Sequence, residues 1–317
     1  MAPPDGREEV FGDSDAPVAI RLPTSTGSRI VEWLTRYGER IGNGLVYSSA
    51  YLAIIAMVEV AIVMVLFSLR ASPAPLVGGL VTFAVYVNDH LKDDPTSSPR
   101  ARFVDQYRDE LYLLASIAYG LGIMVSVLGG PIALVITVLP GLFWIVYASG
   151  RIPGLGFQLR RLKQTLVINT STVALAWAIS VTFLPLAFAD RPISAMVLVV
   201  FGYFFLRSFV DTVIPNVRDV EADRAAGVRT IPGTFGVRRT KHVLYGLDGV
   251  TLGLIGLGVI GGVLSPVVSV ALGVGIAYSM VVTSTLGRID DHELLATAAE
   301  FEYVVVGLAL VPVVYGF

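Results

Sequence analysis

Apolar stretches of membrane-spanning length recur along this chain from about residue 45 to its last residue, separated by short polar or glycine- and proline-containing breaks. They fall at 45–69, 74–91, 109–128, 131–148, 165–187, 192–217, 241–262, 266–286 and 294–317. About 20 residues rising ~1.5 Å each cross the ~30 Å hydrocarbon layer of a bilayer. Lipid also obliges every backbone amide to pair within its own segment, so each stretch is expected to be a transmembrane helix. Pro131 and Pro266 open two of these stretches, where a first helical turn tolerates a residue without an N–H. Gly129-Gly130 and Gly261-Gly262 close the stretches before them, and connections that short predict antiparallel hairpins. Gly249, Gly253, Gly258 and Gly262 include small-xxx-small pairs, a spacing that predicts close helix packing.

Ahead of this region, residues 1–28 are rich in Pro, Asp and Gly and lack helical periodicity, so a mobile tail is expected. Acidic residues stand where a signal peptide needs a basic start. Residues 29–41 place Ile30, Leu34, Tyr37 and Ile41 on one face and Arg29, Glu32, Arg36 and Arg40 largely elsewhere, which predicts an amphipathic helix at the membrane surface. Residues 45–317 then form a single transmembrane domain of an all-α protein.

Composition supports this organisation. Of 317 residues, 54% are apolar and 15% charged, against about 25% charged in soluble domains, which argues against a water-soluble globule. The absence of cysteine excludes disulfides, thiolate nucleophiles and Cys-ligated metal centres, and with three histidines any metal chemistry rests mainly on carboxylates. Net charge, −2, matters less than its placement. Of the 23 Lys and Arg, 20 fall in the N-terminal region and the longer loops, two (Arg70 and Arg191) on the opposite face, and Arg207 inside a span. By the positive-inside rule the N-terminus and the long loops are expected to be cytoplasmic and the C-terminus to end on the other face of a cell membrane.

Two acidic clusters stand at cytoplasmic ends of apolar stretches. One is Tyr86-Val87-Asn88-Asp89-His90-Leu91-Lys92-Asp93-Asp94, and the other is Asn216-Val217-Arg218-Asp219-Val220-Glu221-Ala222-Asp223-Arg224. On a helix, Asp89 and Asp93 share one face, as do Asn216, Asp219 and Asp223. Like charges so placed repel unless a divalent cation collects them, and Mg²⁺ suits oxygen ligands that bridge to phosphates. Two such clusters on one side describe an anionic ligand with at least two phosphates, held by metal from two directions. Arg160, Arg161 and Lys163, with Arg100, Arg102, Arg229 and Arg238, are candidates to neutralise the remaining oxygens. No GxxxxGK[ST] loop is present, which disfavours a nucleoside triphosphate, and no nucleic-acid partner is expected.

The run NVRDVEADRAAGVRTIPGTFG, residues 216–236, resembles the second acidic motif of the UbiA superfamily of intramembrane prenyltransferases, including its Gly-x-x-Thr-x-Pro tail. The resemblance covers residues 45–317 and implies nine transmembrane helices around a central cavity. In the family's first motif, NDxxDxxxD, Asn88 and Asp89 match, while Lys92 and Thr96 stand where two aspartates are expected. Either a local bulge restores the pattern, or Asp89 and Asp93 suffice as a DxxxD site.

The resemblance implies Mg²⁺-dependent ionisation of a prenyl diphosphate and capture of the carbocation by a lipophilic acceptor from the bilayer: a quinone precursor, a carotenoid or a glycerolipid. Asp89, Asp93, Asp219 and Asp223 are then the catalytic carboxylates and, with Asn216, the metal ligands. Asn88, Asn216, Arg161, Lys163 and Arg229 are the substrate-binding candidates. A membrane terpene cyclase of the same superfamily remains open, as does a transporter or non-catalytic lipid-binding protein with Glu59, Arg207 and Asp211 lining a path. Glu59 reads as a final proton acceptor, a carboxylate steadying the cation, or a structural partner. Arg207 and Asp211, four apart, are expected to pair, and His90 to be an exposed helix-end residue. Of Tyr86, Trp144, Tyr147, Trp177, Phe183, Tyr203, Phe204 and Phe205, two or three are expected to line a cavity.

Overall fold

The computed structural model describes residues 42, 44–149, 166–217, 220, 229–289 and 292–315. The expected tail (1–28) and surface helix (29–41) lie outside the described residues, within which every regular element is helical. In chain order these are α1 (Ala50–Leu66), α2 (Ala74–His90), a short α3 (Pro99–Gln106), α4 (Arg108–Ser126), α5 (Gly130–Ser149), α6 (Leu166–Phe188), α7 (Ala195–Val213), α8 (Ile231–Ile260) and α9 (Pro266–Thr285). The chain finishes in three pieces, α10 (His292–Glu300), α11 (Glu302–Ala309) and α12 (Val311–Tyr315). Apart from α3, these elements correspond to the nine expected stretches, the last of them broken. By length and hydropathy alone six described stretches are long and apolar enough to cross a membrane, and α1 is a shorter apolar helix of 17 residues.

Helix ends follow from local chemistry. Ser98, Ser194 and Ser265 cap α3, α7 and α9, each accepting a first-turn amide, and Pro99 and Pro266 fill the first turns of α3 and α9. α8 starts ten residues before the expected 241 for the same reason: Thr230 Oγ1 accepts from the Gly233 amide at 3.3 Å and Pro232 occupies the first turn. Gly236, at φ 75° and ψ 162°, then breaks the helix, a conformation open to a residue without a Cβ. Thr230 and Pro232 of the acidic motif's tail thus build a helix start.

The helices pack into a closed ring. α1 lies on α2, α2 on α4, α4 on α5, and so on through α6, α7, α8 and α9, before α11 packs on both α9 and α1. α6 also reaches across to α1 and α2. Gly275 makes the closing contact possible, because a Cβ there would meet Val306, Glu302 and Tyr203. The packing expected at Gly249 and Gly253 is not found: open space lies where a Cβ would stand, and only Gly258 lies close against neighbours, Leu264 and Val199.

Three charged residues hold α7, α8 and α11 together inside the bundle. Arg207, Asp248 and Glu302 are each fully buried. Arg207 Nε donates to Glu302 Oε1 at 2.7 Å, Nη2 donates to Glu302 Oε2, and Nη1 donates to Asp248 Oδ1 at 2.5 Å. The Ser279 and Tyr203 hydroxyls complete the shell at 3.5 Å from Asp248 and Glu302. The fork geometry of guanidinium against carboxylate favours this arrangement where water is absent. The expected Arg207–Asp211 pair does not form, since both of Arg207's ion partners come from other helices and Asp211 instead accepts the Tyr303 hydroxyl at 2.7 Å.

Removing one member strands its partners in a low-dielectric interior. Arg207→Met is expected to lower unfolding stability by about 3–5 kcal/mol, measured on the detergent-solubilised chain. The triple change of Arg207, Asp248 and Glu302 to leucine is expected to recover most of that loss. A triple variant as unstable as the single one would show that the triad contributes more than mutual compensation.

Candidate functional site

α2 ends within the first acidic cluster and Asn216 of the second follows α7, and the ends of these two helices open on one cavity of about 310 Å³, within the ~300–1,000 Å³ range of small-molecule sites. Asp89 and His90 enter it from α2, and Ser208, Asp211 and Thr212 from α7, followed by Pro215 and Asn216. The first turns of α1 (Tyr51, Leu52) and α3 (Arg100) add to the wall, with Val173 and Trp177 of α6, Ala296 and Glu300 of α10 and Tyr303 of α11. Asp89 and Asn216, more than a hundred positions apart in sequence, are therefore brought to the same space.

The first cluster is arranged differently from a continuous helix. α2 ends at His90, and Asp93 lies beyond it in a turn, so Asp89 and Asp93 do not share a helix face. Asp89 is exposed, with Lys92 Nζ at 3.4 Å, a solvated pair of small energy. Asn88 Nδ2 donates back to Ala84 O at 2.8 Å, and Asn88 does not line the cavity. Asp94 is occupied locally: Oδ1 accepts from the Thr96 hydroxyl at 2.7 Å and the Thr96 amide at 2.8 Å. These two donors hold its carboxyl below the ordinary 3.8.

Of the second cluster, Asn216 lies in a 3₁₀ turn (Pro215–Val217) directly after α7, while Asp219 and Asp223 lie outside the described residues. So do Arg161 and Lys163. Arg229 is exposed beside the Thr230 cap and is not part of the cavity wall. The cation found at the cavity is Arg100, buried at the start of α3. Its Nη1 lies 3.3 Å from His90 Nε2, and since a guanidinium only donates, Nε2 is the acceptor. The ring proton is then on Nδ1, donated to Ser49 Oγ at 3.0 Å. His90 is thus a half-buried wall residue, contrary to the exposed position expected for it.

Two of the eight aromatic candidates, Tyr86 and Trp177, line the cavity, edge to face at 6.1 Å and 81°. Trp144 and Tyr147 carry side chains outside the described residues, and Tyr203 and Phe204 are buried in the core. Trp177 is held by Glu59, which is fully buried in α1: Nε1–H donates to both carboxylate oxygens, at 2.9 and 2.8 Å. Glu59 therefore acts as Trp177's structural partner and braces α1 against α6. Tyr51, Glu300 and Tyr303 were not foreseen as wall residues. The available signal for Glu300 was its acidic side chain inside an apolar stretch.

Asp89 and Asn216 present oxygen donors, the chemistry a hard cation such as Mg²⁺ takes. Among the described residues no group of three or more His, Asp or Glu is placed to hold a metal ion, and the second cluster's carboxylates are outside that set. The donors present fit Mg²⁺ by type.

The family model of the UbiA prenyltransferase family matches residues 106–298. No curated protein sequence matches the chain. Solved structures share the fold at low identity. A UbiA homologue from Aeropyrum pernix K1 superposes with TM-score 0.60 at 14% identity, covering 82% of this chain and 97% of its own. A UbiA homologue from Archaeoglobus fulgidus bound to DMAPP and Mg²⁺ gives 0.59 at 16% identity, covering 86% and 99%. A structure described for digeranylgeranylglyceryl phosphate synthase gives 0.54 at 16%, covering 88% and 98%.

Thr96→Val removes one donor to Asp94 and is expected to raise its pKa back toward 3.8, read by carboxyl NMR titration. Because the folded value is depressed, the turn's charge-dependent stabilisation is present above 3.8 and lost as pH falls through the lower folded value. An unchanged Asp94 titration would contradict the turn geometry.

Proposed function

The chain belongs to the UbiA prenyltransferase family, and from that premise we propose that it is a Mg²⁺-dependent intramembrane prenyltransferase, moving a prenyl group from its diphosphate to a lipophilic acceptor that enters from the bilayer. The observation that carries this reading is the convergence of Asp89, from the end of α2, and Asn216, just beyond α7, on one cavity. The diphosphate end of the substrate belongs at that mouth. There Arg100, buried and hydrogen-bonded through His90 to Ser49, offers a fixed positive charge.

Asp89, Asp93, Asn216, Asp219 and Asp223 are the proposed Mg²⁺ ligands; when bound, the metal would neutralise charge that builds on the departing diphosphate. Asn88, Arg161, Lys163 and Arg229 are retained as diphosphate-binding candidates. The chain's own residues do the rest. Tyr86 and Trp177 present π faces and edges to the allylic carbon, where positive charge develops, and Glu59 fixes the indole so that it need not reorganise during the reaction. The apolar bundle keeps stray water from the cation. The A. fulgidus homologue's bound DMAPP and Mg²⁺ support the choice of substrate class and metal. The 20 basic residues on the side of the N-terminus, against two on the other, support a cytoplasmic N-terminus and a cavity mouth facing the cytoplasm.

Asp89→Asn and Asp219→Asn are each expected to slow turnover by a factor of about 100 or more, since loss of metal-borne charge stabilisation removes several kcal/mol from the transition state. The measurement is pyrophosphate release and labelled lipid product from membranes supplied with Mg²⁺ and radiolabelled geranyl diphosphate. Effects under about tenfold would refute the metal assignment. A cyclic hydrocarbon formed without an acceptor would replace transfer by cyclisation.

A further inference from the structure

Beyond its break at Gly236, α8 has two unlike faces. Thr240, Leu244, Asp248, Thr251 and Ile255 are buried toward the bundle, and Asp248 is held there by Arg207. On the other side Arg239, His242, Gly246, Val250, Gly253 and Leu257, spaced three or four apart, are all exposed. A Cβ added at Gly246, Gly249 or Gly253 would meet nothing within 4 Å, so among the described residues no neighbour covers this face. Residues 237–260 rise about 36 Å at ~1.5 Å each, enough to cross the ~30 Å hydrocarbon layer. Arg238 and Arg239 then stand at one edge of that layer, and the apolar remainder of the face meets lipid tails. No residue of α8 lines the cavity.

The cations at that edge differ from others nearby in what they touch. Lys92 pairs with Asp89, Arg108 with Asp105 and the Leu91 carbonyl, and Lys241 donates to Ser284 O at 2.8 Å, fastening α8 to the end of α9. Arg238 and Arg239 are exposed, and among the described residues neither side chain has a carboxylate or carbonyl partner. Exposed Arg288 follows Gly287, where a Cβ would stand 3.1 Å from Val237, which brings a third cation to the same helix start. Phe235 and Tyr245, also exposed, flank the arginine pair, and such rings settle where headgroups meet tails. Open glycines alone fit any neighbour; the cations at their head select one by charge. A second copy of this chain in the same membrane orientation, related by a two-fold axis through this face, would set Arg239 against Arg239. We propose that this face of α8 binds an anionic membrane lipid, with its phosphate between Arg238 and Arg239 and its chain along the shallow apolar surface below them. This surface is separate from the cavity and independent of the reaction assigned to it.

The test is native mass spectrometry of the full chain after exchange into an equimolar mixture of phosphatidylglycerol and phosphatidylcholine, reading the ratio of the two lipids retained. Wild type is expected to favour phosphatidylglycerol about tenfold, and Arg238→Gln combined with Arg239→Gln to bring that ratio close to parity. Arg238→Lys with Arg239→Lys, which keeps the charge, is expected to stay within about threefold of wild type. Arg70→Gln with Arg191→Gln removes two exposed cations elsewhere for the same change in net charge and is expected to leave the ratio within about twofold. These side chains are exposed, so each variant is expected to unfold thermally as wild type does. Should the glutamine pair fail to fold, raised salt on wild type gives the same readout, since screening is expected to lower the ratio. Equal retention of both lipids by wild type overturns the proposal. So does a glutamine pair within about twofold of the wild-type ratio, or a loss as large in the Arg70 and Arg191 variant. A wild-type dimer that the glutamine pair tightens also overturns it, by making a second copy the occupant of this face.

Discussion

A guanidinium buried among apolar helices has to be met by carboxylates, and much of the fold follows from how Arg207 is met. Its two partners come from α8 and α11, so the sixth long helix, the eighth numbered helix and the last broken span are tied at one point. The contact that closes the ring lies beside it, where Gly275 lets α11 approach α9. Isolated charges inside a membrane are costly, and a fork of hydrogen bonds to two carboxylates is the arrangement that makes one tolerable. The break at Phe301 fits this requirement. Two residues on an unbroken helix point about 200° apart, and here Glu300 turns to the cavity while Glu302 turns to Arg207.

The same principle accounts for the cavity wall. Glu59 has no cation, so it is satisfied by an N–H donor, and Trp177 supplies it from the opposite side of the ring. One hydrogen-bond pair therefore serves two ends: it braces α1 against α6, and it fixes an aromatic face where Tyr86 meets it edge-on. A wall built this way is stiff because its orientation is set from behind, by a residue that does not itself reach the cavity.

What the sequence made legible divides along physical lines. Span positions were readable because bilayer thickness fixes helix length, and the observed ends of α2, α4, α6 and α9 fall within two residues of the expected ones. The start of α8 was not, because Thr230 and Pro232 act as a helix start while reading as the tail of a chemical motif. At the site, acidic spacing singled out Asp89 and Asn216, which both line the cavity, while Asp93 and Asp94 leave the helix, since α2 ends at His90 and Thr96 folds the chain into a turn. Hydropathy says nothing about which way a span faces. Arg207 was therefore matched with its neighbour in sequence, Asp211, although its partners lie 41 and 95 residues away. Asp248 and Glu302 carried a signal, each an acidic residue inside an apolar stretch, and that signal outranks local spacing when a buried cation has to be paired.

Pairing also bears on the choice between an enzyme and a carrier. A transport path through the bundle would need polar groups along it that can exchange partners as the substrate moves. Arg207, Glu302 and Glu59 instead have their hydrogen-bonding capacity absorbed by fixed neighbours from other helices. Asp211 and Ser208 belong to the wall of the cavity that Asp89 and Asn216 enter from the ends of α2 and α7. Among the described residues the charges deep in the bundle are thus largely fixed by one another, while Asp89, His90, Arg100 and Asn216 gather at one cavity by the ends of α2 and α7, a distribution that suits a site of bond making better than a through-path.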